Sequence, residues 1–250
     1  MQLTFQGGEV EGHSFVLRCL PKQNACQHIT KLSFQIDPVP SITKAVDCFG
    51  NTLCYGYIEE PHSDFSFSVE GIAITNSENI DMSPLNPLYR FPTPQTTLTS
   101  GMEPYLEIAS RMRDPIQKAL AMSAELYRNF EYKSGTTNTA TTAQQALDQG
   151  HGVCQDYSHI LIALCRSIGI PARYTAGFMY GEGATHAWVE IYARGHWIGI
   201  DPTNNRVVDD KYVKLSEGRD AGDCIIDKGV FFGAVKQVQT VSVRVSEEKM

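Results

Sequence analysis

Residues 150–205 constrain this chain more than any other stretch, because they read as one helix followed by one β-hairpin. After Gly150-His151-Gly152, the residues Tyr157, Ile160, Leu161, Leu164, Cys165 and Ile168 recur at the three-and-four spacing of a buried helix face. Gly169 and Pro171 end that helix. Cys154 opens it. A cysteine in a first helical turn faces unpaired N–H groups and the positive end of the helix dipole, both of which favour the thiolate.

Two alternating segments follow, His186-Ala187-Trp188-Val189-Glu190-Ile191-Tyr192 and Trp197-Ile198-Gly199-Ile200-Asp201. With Arg194-Gly195 as the tight turn, Ala193 faces His196, Tyr192 faces Trp197 and Trp188 faces Asp201. His186 then faces Thr203, with Asp201 one diagonal step away on the same side of the sheet. Same-face diagonal neighbours lie roughly 7–8 Å apart, within reach of an imidazole–carboxylate hydrogen bond. The spacing therefore predicts a His186–Asp201 pair, with the thiol carried to it by a helix packed against that face.

Here the sequence resembles the transglutaminase-like superfamily of papain-related thiol enzymes. The resemblance rests on GVCQDYSH around Cys154, GIPARYTAGF at 169–178, GATHAWVEI around His186 and IGIDPTNN around Asp201. The segment GRDAGDCIIDKGVFFG at 218–233 looks like the sequence that follows the aspartate in bacterial members. FQIDPVPSITKAVDCFGNTLCYGYIEEPHSDFSFSVE is similar to the β-rich N-terminal region paired with this core in bacteria. The resemblance implies an α+β fold, in which a cysteine-bearing helix packs on an antiparallel sheet as in a papain-like transglutaminase core. A small β-sandwich-like domain precedes that core. The expected division is a β-rich domain with a proline-rich connector at 1–97 and a catalytic core at 98–250.

In that superfamily the cysteine, histidine and aspartate, in this chain order, form the catalytic triad. A lone helix cysteine is usually structural, and a lone strand histidine is usually a satisfied polar group. Their coincidence with a same-face aspartate, and with the open backbone of Gly152, Gly181 and Gly183, favours chemistry at Cys154, His186 and Asp201. His186 would take the thiol proton and later give it to a leaving amine, while Asp201 fixes the imidazole tautomer. Cys154 would attack an amide carbonyl to give a thioester. Its backbone N–H is one oxyanion donor. The second is open between Gln155, papain-like by type but placed after the cysteine, and Tyr132, just upstream of the helix. Trp188 either walls the cleft or packs in the core. Asp156 and His159 tempt a metal reading, but no HExxH-like spacing supports it, and no metal or cofactor is expected.

Three functions follow from these residues. A cysteine protease or amidase would let water resolve the thioester; a transglutaminase proper would let an amine do so; a non-catalytic peptide-binding module usually has a broken triad. The resemblance leans to the first, because animal cross-linking members carry tryptophan directly after the cysteine, where this chain has Gln155.

Composition narrows the partners. The chain has 250 residues and a net charge of −7 with no basic run, which argues against nucleic acid. No stretch is long and apolar enough to span a membrane, and MQLTFQGGEVEGHSF lacks the pattern of a signal peptide, so the expected address is cytoplasmic. Seven scattered cysteines without CxxC pairs argue against a disulfide framework or a structural zinc; Cys48 and Cys54 flank the Gly50-Asn51 turn and could face each other across a hairpin as a reduced pair. The expected partner is a protein or peptide substrate; oligomeric state is open.

Along the chain, residues 1–75 read as strands, with Gly50-Asn51 marking a hairpin and His13, His28 and His62 in surface or turn roles. Residues 76–100 read as an extended surface connector. Asp114-Pro115 and the Thr142–Gln145 capping box open helices. Residues 206–233 read as irregular and polar. Val241, Val243 and Val245 read as a last strand closing the core sheet.

Overall fold

The structure, a computed structural model, describes residues 1–247. Its N-terminal part is a sandwich of two four-stranded antiparallel sheets. One runs in the order Lys236–Thr240, Gln2–Gln6, Asp64–Thr75, Gln27–Asp37, and the other in the order Asp227–Phe232, Glu11–Leu17, Thr52–Ile58, Ser41–Val46. Alternation explains its core: Leu3, Phe5, Phe15, Leu17, Phe65 and Phe67 turn inward from both sheets and bury against one another. The hairpin signal at Gly50-Asn51 is realised, with Val46 opposite Thr52.

Three features of this sandwich differ from the sequence reading. His13 and His62 do not lie at the surface. They meet inside it, with His13 Nδ1 3.1 Å from His62 Nε2. His62 Nδ1–H donates to the Glu60 carbonyl at 2.9 Å, so its Nε2 accepts from His13. Burial, then the neighbouring His62, hold the His13 imidazole down to about 4. Cys54, buried, lies opposite Lys44, while Cys48 is exposed in the turn, so these two thiols do not face each other. And the segment 227–240, grouped with the core at 98–250, pairs with the sandwich: Asp227 lies opposite Leu17, and Gln2 opposite Thr240. A sandwich closed by strands from the far end of the chain has no local sequence signature.

The second part is a five-stranded antiparallel sheet in the order Arg206–Val207, His196–Asp201, His186–Ala193, Ala172–Met179, Tyr212–Gly218. The helix Cys154–Ser167 lies on one face of it, where Ile160, Leu161 and Leu164 join Ala187, Val189 and Ile191 in one buried cluster. Each buried valine, leucine or isoleucine there contributes about 1.5–3 kcal/mol. The helices Pro115–Asn129 and Ala143–Gln149 complete the layer, the latter opened by the Thr142–Gln145 capping box and closed by Gly150 at φ 73°. Asp114 precedes Pro115 as expected but makes no side-chain cap; its carboxylate pairs with Arg194 at 3.1 Å.

Tyr212–Gly218, expected to be irregular, is a strand buried at every position. Its free edge is covered by the sandwich through two side-chain amides that stand in for a neighbouring strand. Gln27 donates to the Lys214 carbonyl at 2.9 Å and accepts from its N–H at 2.7 Å. Asn51 does the same for Glu217, at 2.7 and 2.9 Å. The polar residues that disguised the strand are neutralised in a buried ionic cluster. Arg173 reaches Asp81, Glu190 and Glu217 at 2.6–2.8 Å, and Lys214 reaches Glu190 at 2.7 Å. The connector is anchored rather than laid over the surface: Arg166 of the cysteine helix donates to the Tyr89 carbonyl and to Thr96 Oγ1, at 3.1 and 2.8 Å. Val243–Val245 is a strand, but it pairs with Gly181–Gly183, outside the five-stranded sheet.

Candidate active site

Cys154 is the first residue of its helix, preceded by extended Val153. Asp156, two residues on, fixes that end: its Oδ2 accepts the Val153 N–H at 2.8 Å and the Thr137 hydroxyl at 2.7 Å. Burial raises the Asp156 carboxyl above its ordinary range, against the pull of these hydrogen bonds. Gly152 is required by close approach, since a Cβ there would stand 2.5 Å from Asp156 Oδ2. Asp156 is thus a cap. His159, one turn along, accepts the Ala221 N–H on Nε2 at 3.0 Å, and burial lowers its imidazole to about 3. Both residues that tempted a metal reading have structural partners.

The hairpin has the expected register. Ala193 opposes His196, Tyr192 opposes Trp197, and the ladder continues to Val189–Ile200, with Arg194 and Gly195 in the turn at φ 53° and 85°. His186 and Asp201 consequently share a face, and His186 Nε2 stands 2.7 Å from Asp201 Oδ2. That leaves Nδ1 free of Asp201, and the Cys154 thiol is among the groups that raise the basicity of the ring. Burial lowers the basicity of His186, but the hydrogen bond to Asp201 and the nearby Cys154 outweigh it and raise the imidazole to about 9. Burial likewise opposes ionisation of Asp201, yet donors from His186, Asn204 and Tyr212 hold its carboxyl below the usual range.

The route of the thiol to the ring differs from expectation. The helix packs against the face of Ala187, Val189 and Ile191, whereas period-two alternation puts His186, Trp188 and Glu190 on the other. Cys154 therefore meets His186 at the start of the strand, past the edge of the helix–sheet contact, because it sits at the very tip of its helix.

Residues 106–202 match the model of the transglutaminase-like superfamily core, and residues 7–73 match the bacterial transglutaminase-like N-terminal region. Residues 106–202 are a core of the transglutaminase-like type. An uncharacterized protein of Mycobacterium tuberculosis is 29% identical over 85% of this chain and 79% of its own length. One of Mycobacterium leprae is 25% identical over 86% and 85%. A solved structure from Cytophaga hutchinsonii, of a protein named as a candidate cysteine protease, is 25% identical and superposes with a TM-score of 0.78 over 97% of this chain and 88% of that one.

Within this transglutaminase-like core the remaining candidates have definite places. Gln155 donates to the Asn138 carbonyl at 3.1 Å. Tyr132 is half exposed on a two-residue parallel strand beside Gly152, two residues before the cysteine. Trp188 is buried, its ring stacked near His186 at 6.4 Å and crossing bare Gly177, where a Cβ would lie 2.5 Å from it. It is the floor under the imidazole. Two residues around Asp201 escaped the sequence reading: Asn204, in the PTNN turn that was visible, and Tyr212, on the strand that was not.

Among the described residues, no helix is long and apolar enough to cross a membrane.

Proposed function

We propose that this protein is a thiol hydrolase that cleaves peptide or side-chain amide bonds through a thioester on Cys154. The observation that carries the reading is the His186 imidazole, hydrogen-bonded to Asp201 at 2.7 Å on Nε2 and raised in basicity by that carboxylate and by the nearby Cys154 thiol. An imidazole raised to about 9 is a base strong enough to take and hold the thiol proton as the sulfur attacks. The thiolate attacks the amide carbon; the tetrahedral oxyanion is met by the Cys154 N–H, which at the first helical position has no acceptor within the helix. The imidazolium then gives its proton to the leaving amine, the C–N bond breaks, and a thioester remains. Water, deprotonated by the now neutral His186, hydrolyses it and restores the thiol. Asp201 keeps the ring oriented throughout.

Hydrolysis is preferred over transfer to an amine because Gln155, not tryptophan, follows the nucleophile, and the Cytophaga relative is named as a candidate cysteine protease. The proposed partner is a peptide or protein substrate, and the seven free thiols suit a reducing, cytoplasmic setting.

Two measurements test this. Brief iodoacetamide treatment at neutral pH followed by mass mapping should label Cys154 first; faster labelling of Cys48 or Cys26 would remove the nucleophile. A peptide library should then leave a thioester adduct on Cys154. Water should release it about as fast in the absence of added amine as in its presence; release that depends on amine would make the protein an acyltransferase.

A further inference from the structure

Asp201 is held by more than its own turn. Its Oδ1 accepts the backbone N–H groups of Thr203 and Asn204 at 2.9 and 3.2 Å. Its Oδ2, the oxygen that faces His186, also accepts the Asn204 amide and the Tyr212 hydroxyl, each at 2.7 Å. Four of these five donors lie on the hairpin or in the turn that ends it. The phenol alone comes from elsewhere, the strand Tyr212–Gly218 on the opposite side of Ala172–Met179.

Tyr212 is built into that position. It is buried; its ring meets Trp188 edge-on at 5.4 Å and lies 6.1 Å from His186. The Arg206 guanidinium lies over its outer side at 5.8 Å. Burial and the adjacent Asp201 charge both push the phenol's ionisation up, so it stays a donor across the working range of pH. A phenol spent as a donor to Asp201 is not free to do acid–base work of its own.

We propose that Tyr212 is a positioning residue of this site, one that fixes which carboxylate oxygen of Asp201 faces His186 and limits how much charge that oxygen presents to the ring. The proposal rests on the triad reading above. A carboxylate oxygen with three donors shares its charge among them; removing one returns charge to the remaining pair and strengthens its hold on the imidazolium proton. Tyr212→Phe keeps the ring contacts with Trp188 and His186 and removes only that donor. Site-specific replacement by 3-fluorotyrosine keeps the donor and makes it more acidic.

The test is the titration of His186 in the full chain, followed by nitrogen–proton correlation of its ring, together with thermal unfolding and Cys154 alkylation by iodoacetamide. Tyr212→Phe should move the His186 midpoint up by about half a pH unit or more, and 3-fluorotyrosine should move it down. On a peptide amide, Tyr212→Phe should lower kcat roughly tenfold with KM unchanged, because the imidazolium gives up its proton less readily. Midpoints that coincide with the wild type in both variants would overturn the proposal. So would a fall in melting temperature in Tyr212→Phe with no movement of the midpoint, which is the mark of packing alone. If Cys154 alkylates no faster in the wild type than in His186→Ala, it is the triad reading that fails instead.

Discussion

The site reduces to one imidazole between a thiol and a carboxylate, and its behaviour with pH has a definite sign. His186 titrates at about 9 in the fold, against 6.5 for a free imidazole. Its raised value contributes stability that is fully present below pH 6.5 and is lost as pH rises through 9, about 3 kcal/mol in all. Urea midpoints measured from pH 6.5 to 9.5 should fall in the wild type, and His186→Ala should flatten that part of the slope. Over the same range kcat/KM should decline as the imidazolium proton is lost near pH 9. Asp201→Asn should fold, since the turn and Tyr212 still flank the position, yet turnover should drop by orders of magnitude because the amide favours the wrong tautomer. Full activity in that variant would exclude the pair from the chemistry. The pair was legible because strand periodicity is two: once the turn was placed at Arg194-Gly195, the face of every hairpin side chain followed. Tyr212 was not legible, since it reaches Asp201 across two intervening strands and no spacing encodes that.

Among the elements, the tip of the cysteine helix carries the tightest constraint. Asp156 folds back over bare Gly152, so the loop before the helix and its first turn form one unit. Gly152→Ala would drive a methyl to 2.5 Å from the carboxylate and displace the cap. The expected cost is about 1–2 kcal/mol, the range for losing a cap, with a slower alkylation of Cys154 as its backbone shifts. Equal urea midpoints for the variant and the wild type would show that the loop relaxes without harm. Local signals were read well here: the capping box at Thr142–Gln145, the helix stop at Gly169 and the hairpin turn all involve residues within a few positions of one another. The strand Tyr212–Gly218 was hidden because Lys214 and Glu217 look solvent-facing, and only partners such as Arg173 and Glu190, remote in sequence, make their burial tolerable.

On the scale of the whole molecule, that ionic cluster joins the parts. Arg173 belongs to the core sheet, Asp81 to the connector, and Lys22, 3.0 Å from Glu217, to the sandwich. Arg173→Met would leave three acidic groups facing Lys214 and Lys22 alone, and should cost about 3–5 kcal/mol in a urea melt, far more than an exposed pair. A loss under 1 kcal/mol would mean the cluster is ornamental. The return of Asp227–Phe232 and Lys236–Thr240 to the sandwich has another consequence. The half that bears Cys154, His186 and Asp201 is an insert, held at both ends by one body. A single proteolytic cut within it, at the exposed Ser134-Gly135 turn for instance, would therefore not release a fragment. The nicked chain should migrate as one species under native conditions and part into two bands only in detergent, with the strands Gln2–Gln6 and Lys236–Thr240 acting as the clasp.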